Sequence, residues 1–267
     1  MVTYDTLVIG AGCWSAGVAL SGRSSTLIVD RGAIVGAEYF DTFRSTSNWK
    51  SELHSAEARE FFRTLDDRGG INGERSDAAM LAPFLYKALL PYTAQFRLWT
   101  EIAAIRPEGN GFTVTLFDAD GSEEIHAERI IDTTPECRSN PAFGRANCKA
   151  ASLTAVAIAP NAAEMMALWH PVVGSMRPGR TDDELFFTVP VEPGESWPAS
   201  REKLLRAWNS RREIFFKLNK IAMIARQRAL ELESDEQSFA PNHWFLNSAR
   251  FANPLLAIDA GIRFGRK

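Results

Sequence analysis

Cysteine is scarce in this chain. Three residues in 267, Cys13, Cys137 and Cys148, make an odd count with wide spacing and no Cys-x-x-Cys pair. That pattern argues against a disulfide framework, a cysteine zinc site or a dithiol redox centre, and for a reducing cytoplasm. Histidine is nearly as rare, at four residues, and no metal site is expected. Charge of one sign is also missing. Thirty Lys and Arg face 33 Asp and Glu, a net charge of -3, which gives no electrostatic ground for a nucleic-acid partner. No stretch approaches the ~20 apolar residues needed to span a bilayer. Only Thr6 to Leu20 is apolar enough to pass for a signal peptide. Asp5 sits where a basic n-region is required, and Gly10, Gly12 and Gly17 interrupt the run. A soluble, cytoplasmic chain without membrane contact is expected.

What is present is ordinary globular composition, 45% hydrophobic and 24% charged, with length for one large domain or two modest ones. Residues 4–9 form an apolar run ending at Gly10 and read as a buried parallel strand. A small-residue helix follows over about 14–22, and residues 25–30 read as a second buried strand. Residues 31–50 read as a loop and 55–68 as a helix with an apolar stripe. Asp77 reads as the N-cap of a helix to about Leu90. From Phe96 the period changes. Residues 112–117 alternate like a half-buried strand, Asp120-Gly121 marks a tight turn, and residues 129–134 form another apolar strand. Strands are expected again at 153–159 and 185–191. Residues 200–233 read as a long helical stretch, striped by Leu204, Leu205, Trp208, Phe215, Leu218, Ala222, Ala225 and Leu232.

The informative segment is Gly10-Ala-Gly12-Cys-Trp-Ser15. It follows a strand and opens a helix. Glycine at position 10 permits the tight turn, and glycine at 12 lets a pyrophosphate approach the helix N-terminus, whose free N–H groups bind anions. Ser15 is small enough to keep helix and strand close. Asp30 ends the second strand, twenty residues beyond Gly10, where a carboxylate can accept hydrogen bonds from ribose hydroxyls, with Arg31 beside it. The strand, glycine turn, helix, strand and acidic residue together predict dinucleotide binding.

With these residues and two later blocks, the chain resembles the FAD-dependent oxidoreductases of the glutathione-reductase-type Rossmann group, in particular members without a second NAD(P)H domain. One block is Thr100-Glu-Ile102-Ala-Ala-Ile105, followed by the hairpin and Ile130-Ile-Asp132-Thr133-Thr134. The other is Asn253-Pro-Leu-Leu-Ala-Ile-Asp259-Ala-Gly261, similar to the family's closing strand and its Gly-Asp turn. The resemblance implies FAD as cofactor, with the backbone near Ile102 at the adenine. Thr133 and Thr134 would lie over the cofactor, and Asp259 at the ribityl chain or pyrophosphate. It also implies an α/β fold: a Rossmann-type parallel sheet domain over 1–149, completed by 243–267, with a smaller antiparallel sheet and helix domain inserted over 150–242 for substrate or a partner.

A flavin performs the redox chemistry itself, so the protein's task is to orient a substrate against it. Arg44 and Arg250 are candidates to clamp a carboxylate, as a planar guanidinium does well. His243 is the candidate base, lying near the chain's return to the cofactor. The expected function is a FAD-dependent oxidoreductase or oxidase that passes hydride from a small amine or carboxylic acid to flavin. The alternatives are a flavin-binding accessory or maturation subunit that needs a protein partner, and a plain NAD-binding dehydrogenase.

Overall fold

The computed structural model describes residues 2–23, 25–160, 162–211 and 219–267. Strand β1 (Val2–Ile9) is sealed at its apolar end, Leu7, Val8 and Ile9 being at most 1% exposed. Helix α1 (Cys13–Leu20) is buried along its whole length, and β2 (Thr26–Val29) returns parallel to β1 with Ile9 opposite Val29. This is the expected βαβ unit, bounded as the apolar runs require.

The next segment departs from a plain loop. Gly36, in the left-handed region at φ 83, opens a four-residue helix, α2 (Ala37–Phe40). Helix α3 (Ala56–Asp67) is capped by Ser55 and buries Ala58, Phe61 and Leu65. Asp77 caps as expected, its Oδ1 accepting from Ala79 N–H at 3.0 Å. The first turn it caps is a tight one over 78–81, before α4 (Ala82–Leu89) begins. Short β3 (Phe96–Arg97) extends the parallel set beside β2. The hairpin β4 (Glu101–Glu108) and β5 (Gly111–Asp118) then leads into the long β6 (Gly121–Asp132). The strand expected over 129–134 is therefore the last part of a longer one, which ends at Asp132. Its last eight residues lie parallel to β1, Ile9 opposite Asp132.

After α5 (Pro141–Asn147), strand β7 (Cys148–Ile158) starts a second, antiparallel sheet. Beyond α6 (Ala162–Leu168), β8 (Ser175–Pro178) and β9 (Glu184–Val191) pair in turn, β9 lying along β7. Helix α7 (Trp197–Asn209) buries Leu204 and Trp208 in the core of this sheet, where Trp208 meets Trp169 edge-on and Phe187 at a tilt.

The long helix expected over 200–233 stops at Asn209. Residues 220–232 are instead two strands, β10 (Lys220–Ile224) and β11 (Ala229–Leu232), which share the free edge of β7. Phe215 and Leu218 lie outside the described residues. An unpaired edge of an eleven-residue strand offers hydrogen bonds that a helix face cannot use, and Ile221 and Ile224 suit a strand as well as a helix.

The chain then rejoins the first sheet through β12 (Glu236–Ala240) and β13 (His243–Leu246), and ends in α8 (Pro254–Gly265). That sheet has eight strands in the order β12-β13-β6-β1-β2-β3, with the β4–β5 hairpin joined to the lower half of β6. The strand expected at 253–261 is thus a helix. Asn253 caps it, Oδ1 accepting from Leu256 N–H at 3.0 Å, and Pro254 occupies the first turn. Asn before Pro is a helix-start signal in the sequence itself. The closing parallel strand is β13, so the turn after it carries Asn247-Ser248 where the family resemblance calls for Gly-Asp. Among the described residues no helix is long and apolar enough to cross a membrane.

Candidate functional site

The parallel strands β1, β2 and β6 all end at one edge, and a cleft of about 340 Å³ opens there. In open α/β sheets this edge, where neighbouring strands lead to opposite faces, is where ligands sit. Gly10, Gly12, Asp30, Arg31, Thr133 and Thr134 all line it. Gly10 has φ 101, and a Cβ there would meet Thr133 Oγ1 at 2.7 Å and Thr134 Cγ2 at 2.8 Å. Only glycine therefore allows β1 to turn beneath the threonines. Asp132, fully buried, fixes that threonine turn by accepting from Thr134 N–H at 2.9 Å, Thr134 Oγ1 at 2.6 Å and Ser139 N–H at 2.5 Å.

Asp30 stands at the cleft with two bonds of its own. Oδ2 accepts from Ala11 N–H at 2.8 Å, and Oδ1 accepts from Gly32 N–H at 2.6 Å. Arg138, which the sequence reading passed over, reaches Asp30 at 3.4 Å and lines the same cleft. Arg31 lies near Glu136, at 3.7 Å. Trp99, also unanticipated, lines the rim 70% exposed, on backbone in the left-handed region at φ 57.

Two of the expected cofactor residues work behind the cleft. Ser15 is buried and ties the first turn of α1 to the glycine turn, donating to Gly10 C=O at 2.6 Å. Ile102 packs its side chain toward the core beneath β1 and β2, and its neighbour Glu101 lines the cleft instead.

The anion seat at the head of α1 is filled from within. Cys13 N–H donates to Glu38 Oε1 at 2.7 Å, and Trp14 N–H donates to Ser248 Oγ at 3.2 Å. Ser248 in turn donates to Glu38 Oε1 at 2.7 Å. A Cβ on Gly12 would meet Ser248 Oγ at 2.5 Å and Glu38 Oε1 at 2.8 Å. The space that glycine leaves is thus held by a carboxylate and a hydroxyl of this chain. Glu38 is 7% exposed, and burial raises its carboxyl above the usual range against the pull of Ser248, the Cys13 N–H and Arg44. Burial, then the Glu38 charge, pushes the Cys13 thiol well up. A raised thiol carries little of the thiolate, which is the reactive form.

The residues expected to meet substrate divide. Arg44 and Arg250 come together on a second cavity of about 750 Å³, lined also by Ser152, Ser175 and Asn247. Arg44 lies over the Tyr39 ring at 5.6 Å, and Arg250 is paired with Glu236. His243 is elsewhere. It begins β13 opposite Ile130, below the cleft edge, and sits edge-on to Phe112 at 5.6 Å and Phe239 at 5.0 Å. Burial lowers its pKa, and its surroundings are those of a packed aromatic.

Asp259 is also away from the cleft, on α8. Its Oδ1 accepts from His54 N–H at 3.0 Å, Ser55 N–H at 2.6 Å and Ser55 Oγ at 2.7 Å, so it anchors the start of α3. Arg263 Nε stands 3.4 Å from its other oxygen. Asp259→Ala should cost about 2 kcal/mol, because buried donors are left unmet, and nucleotide affinity should not change. Chemical denaturation beside a nucleotide titration checks both halves. A selective loss of nucleotide binding at unchanged stability would return Asp259 to the cofactor.

No family model matches the chain, and no curated protein matches it in sequence. Solved structures match over nearly its whole length. It is similar to p-nitrophenol 4-monooxygenase PnpA from Pseudomonas putida DLL-E4 at TM-score 0.59 and 12% identity, covering 99% of this chain and 78% of that one. It is similar to the anhydrotetracycline hydroxylase OxyS from Streptomyces rimosus at TM-score 0.63 and 13% identity, covering 99% and 60%. A third match is aklavinone-11 hydroxylase, in a complex with FAD and aklavinone, at TM-score 0.53 and 16% identity, covering 98% and 60%. The fold is shared with these proteins. This chain spans about three fifths of the length of the two hydroxylases, and at such identities the likeness is one of fold.

Proposed function

We propose that the chain is a FAD-dependent oxidoreductase whose cleft at Gly10, Asp30 and Thr133 receives the adenosine half of FAD. The observation that carries this reading is the convergence of the glycine turn, the Asp30 carboxylate and the Thr133-Thr134 turn at one end of the parallel strands. The shared fold supports it, since matching structures include one described with FAD and another with reduced flavin. The residues fit the adenosine half as they stand. Asp30 presents a carboxylate to ribose hydroxyls, and Trp99 offers an exposed ring for an adenine to stack on. A pyrophosphate meets Glu38 and Ser248 at its seat and needs Glu38 to move. Bound FAD would supply the hydride acceptor, and every other task falls to the chain.

The substrate side of this proposal is the cavity of Arg44 and Arg250, within the reading of 150–242 as a substrate or partner domain. Arg44 and Arg250 line this cavity together with Glu231 and Asp235, and the two guanidiniums are the groups that would hold an acid substrate. The odd, widely spaced cysteines support a cytoplasmic setting. The second reading, a flavin-binding accessory subunit that works with a protein partner, is favoured by one observation. Glu38 and Ser248 close the pyrophosphate seat in the isolated chain.

Titration of FAD and FMN into wild type and Asp30→Ala tests the cleft. FAD affinity should fall roughly ten- to a hundredfold, the loss of one charge-assisted bond, while FMN, without an adenosine half, stays the same. Because Asp30 also holds the Ala11 and Gly32 N–H groups, the apo variant should melt lower as well. Equal FAD affinity in the two proteins would end the assignment of Asp30.

A further inference from the structure

The Glu38–Ser248 pair at the head of α1 joins one cavity to the segment that lines another. Glu38 lines the 340 Å³ cleft, while Asn247 and Ala249, on either side of Ser248, line the 750 Å³ cavity. The Glu38–Ser248 bond of 2.7 Å bridges the two walls directly over Gly12. A ligand that passes the helix N-terminus at Gly12 meets this bond.

The partners of Glu38 are the ones a diphosphate would use. A helix N-terminus binds anions through its first free N–H groups, and Cys13 N–H and Trp14 N–H are those groups here. Both are satisfied, one by the carboxylate and one by the hydroxyl bonded to it. The arrangement is closed and buried, with Glu38 7% and Ser248 1% exposed. An incoming diphosphate would compete with a tethered anion for the same donors, and would be repelled by it at close range. Adenosine carries no phosphate and meets neither obstacle.

We propose that Glu38 is the chain's own substitute for the pyrophosphate of a dinucleotide, and that the need to displace it holds down the affinity of the cleft for diphosphates, FAD included, without touching its affinity for adenosine. The inference rests on the reading of the cleft as an adenosine seat. It adds that a single acidic side chain sets the affinity for ADP and FAD. Ser248 is the positioning residue, holding the carboxylate over Gly12.

The test is calorimetric titration of adenosine, ADP and FAD into wild type, Glu38→Ala and Glu38→Gln, with a thermal melt of each apo protein. Glu38→Ala empties the seat and should raise ADP and FAD affinity ten- to a hundredfold, leaving adenosine unchanged. Glu38→Gln keeps an oxygen for Cys13 N–H and removes the charge, so its gain should be smaller, about three- to tenfold. It carries the test if the alanine variant fails to fold. Equal ADP and FAD affinities in wild type and the folded variants, with adenosine binding intact, would overturn the proposal. Adenosine binding by none of the three proteins would instead overturn the reading of the cleft, and the proposal with it.

Discussion

Gly261→Ala should destabilise the protein by about 3 kcal/mol, at the upper end of what overpacking costs, and lower its melting temperature on the order of 10 °C. In an open helix the same change would help, by roughly 1 kcal/mol of helix propensity. Here the contact decides the sign. A Cβ on Gly261 would fall inside the carbonyl oxygen of Trp14, and one on Gly17 inside that of Ile258. The two glycines let the backbones of α1 and α8 touch, and neither carbonyl can rotate away without breaking its helix. Gly17→Ala should behave alike. Gly194, with nothing within 4 Å of an added Cβ and no positive φ, is the control, expected within about 0.5 kcal/mol of wild type. Chemical denaturation of the three variants is the measurement. A neutral Gly261→Ala would mean that the helices do not pack at this distance. Because α1 carries the glycine turn at its head, a shifted α8 should also disturb the cleft.

Asp132→Ala should cost about 3 kcal/mol, since three donors from the Thr134 turn and Ser139 lose their acceptor in a buried place. The cost should depend on pH in an unusual direction. Burial raises the Asp132 carboxyl above its ordinary value, outweighing the hydrogen bonds that favour the charge. The folded chain therefore holds this proton more tightly than the unfolded one, whose aspartates titrate near 3.9. The stability it contributes is full below about pH 4 and is lost as pH rises through the folded pKa. Wild type should accordingly lead the variant by more at pH 4 than at pH 7. A gap that widens with pH would show that Asp132 is held ionised by its donors. Either way the variant should loosen the Thr133-Thr134 floor beneath Gly10, and nucleotide affinity should fall with it.

Local chemistry in the sequence specified the βαβ unit, because each of its signals is carried by neighbouring residues. The apolar run of β1, the two glycines, the small-residue helix and the acid at the end of β2 lie within thirty positions, and the chain needs no distant contact to use them. The antiparallel strands β5, β7 and β9 were legible for the same reason, through alternation and turn residues. So was the cap at Asp77.

Where residues 220–232 go was decided by an edge. Their apolar spacing suits a helix, but β7 is longer than any one partner and draws both β10 and β11 to its free side, satisfying backbone groups that would otherwise stay unpaired. Asp259 was misread because an acid near glycine looks the same on a helix as at a turn. The cap formed by Asn253 and Pro254 was the local sign that α8 begins there. The site itself was half legible. Gly10, Gly12, Asp30, Thr133 and Thr134, which the sequence singles out, line one cleft. Glu38 meets Cys13 across 25 residues and Ser248 across 210, and no local pattern links positions so far apart. Only the packing of α2 and the turn after β13 against the head of α1 brings that carboxylate to the helix N–H groups. The sequence alone thus determined a glycine turn opening onto the N–H groups of a helix; the tertiary structure decided that the chain meets those groups with its own carboxylate.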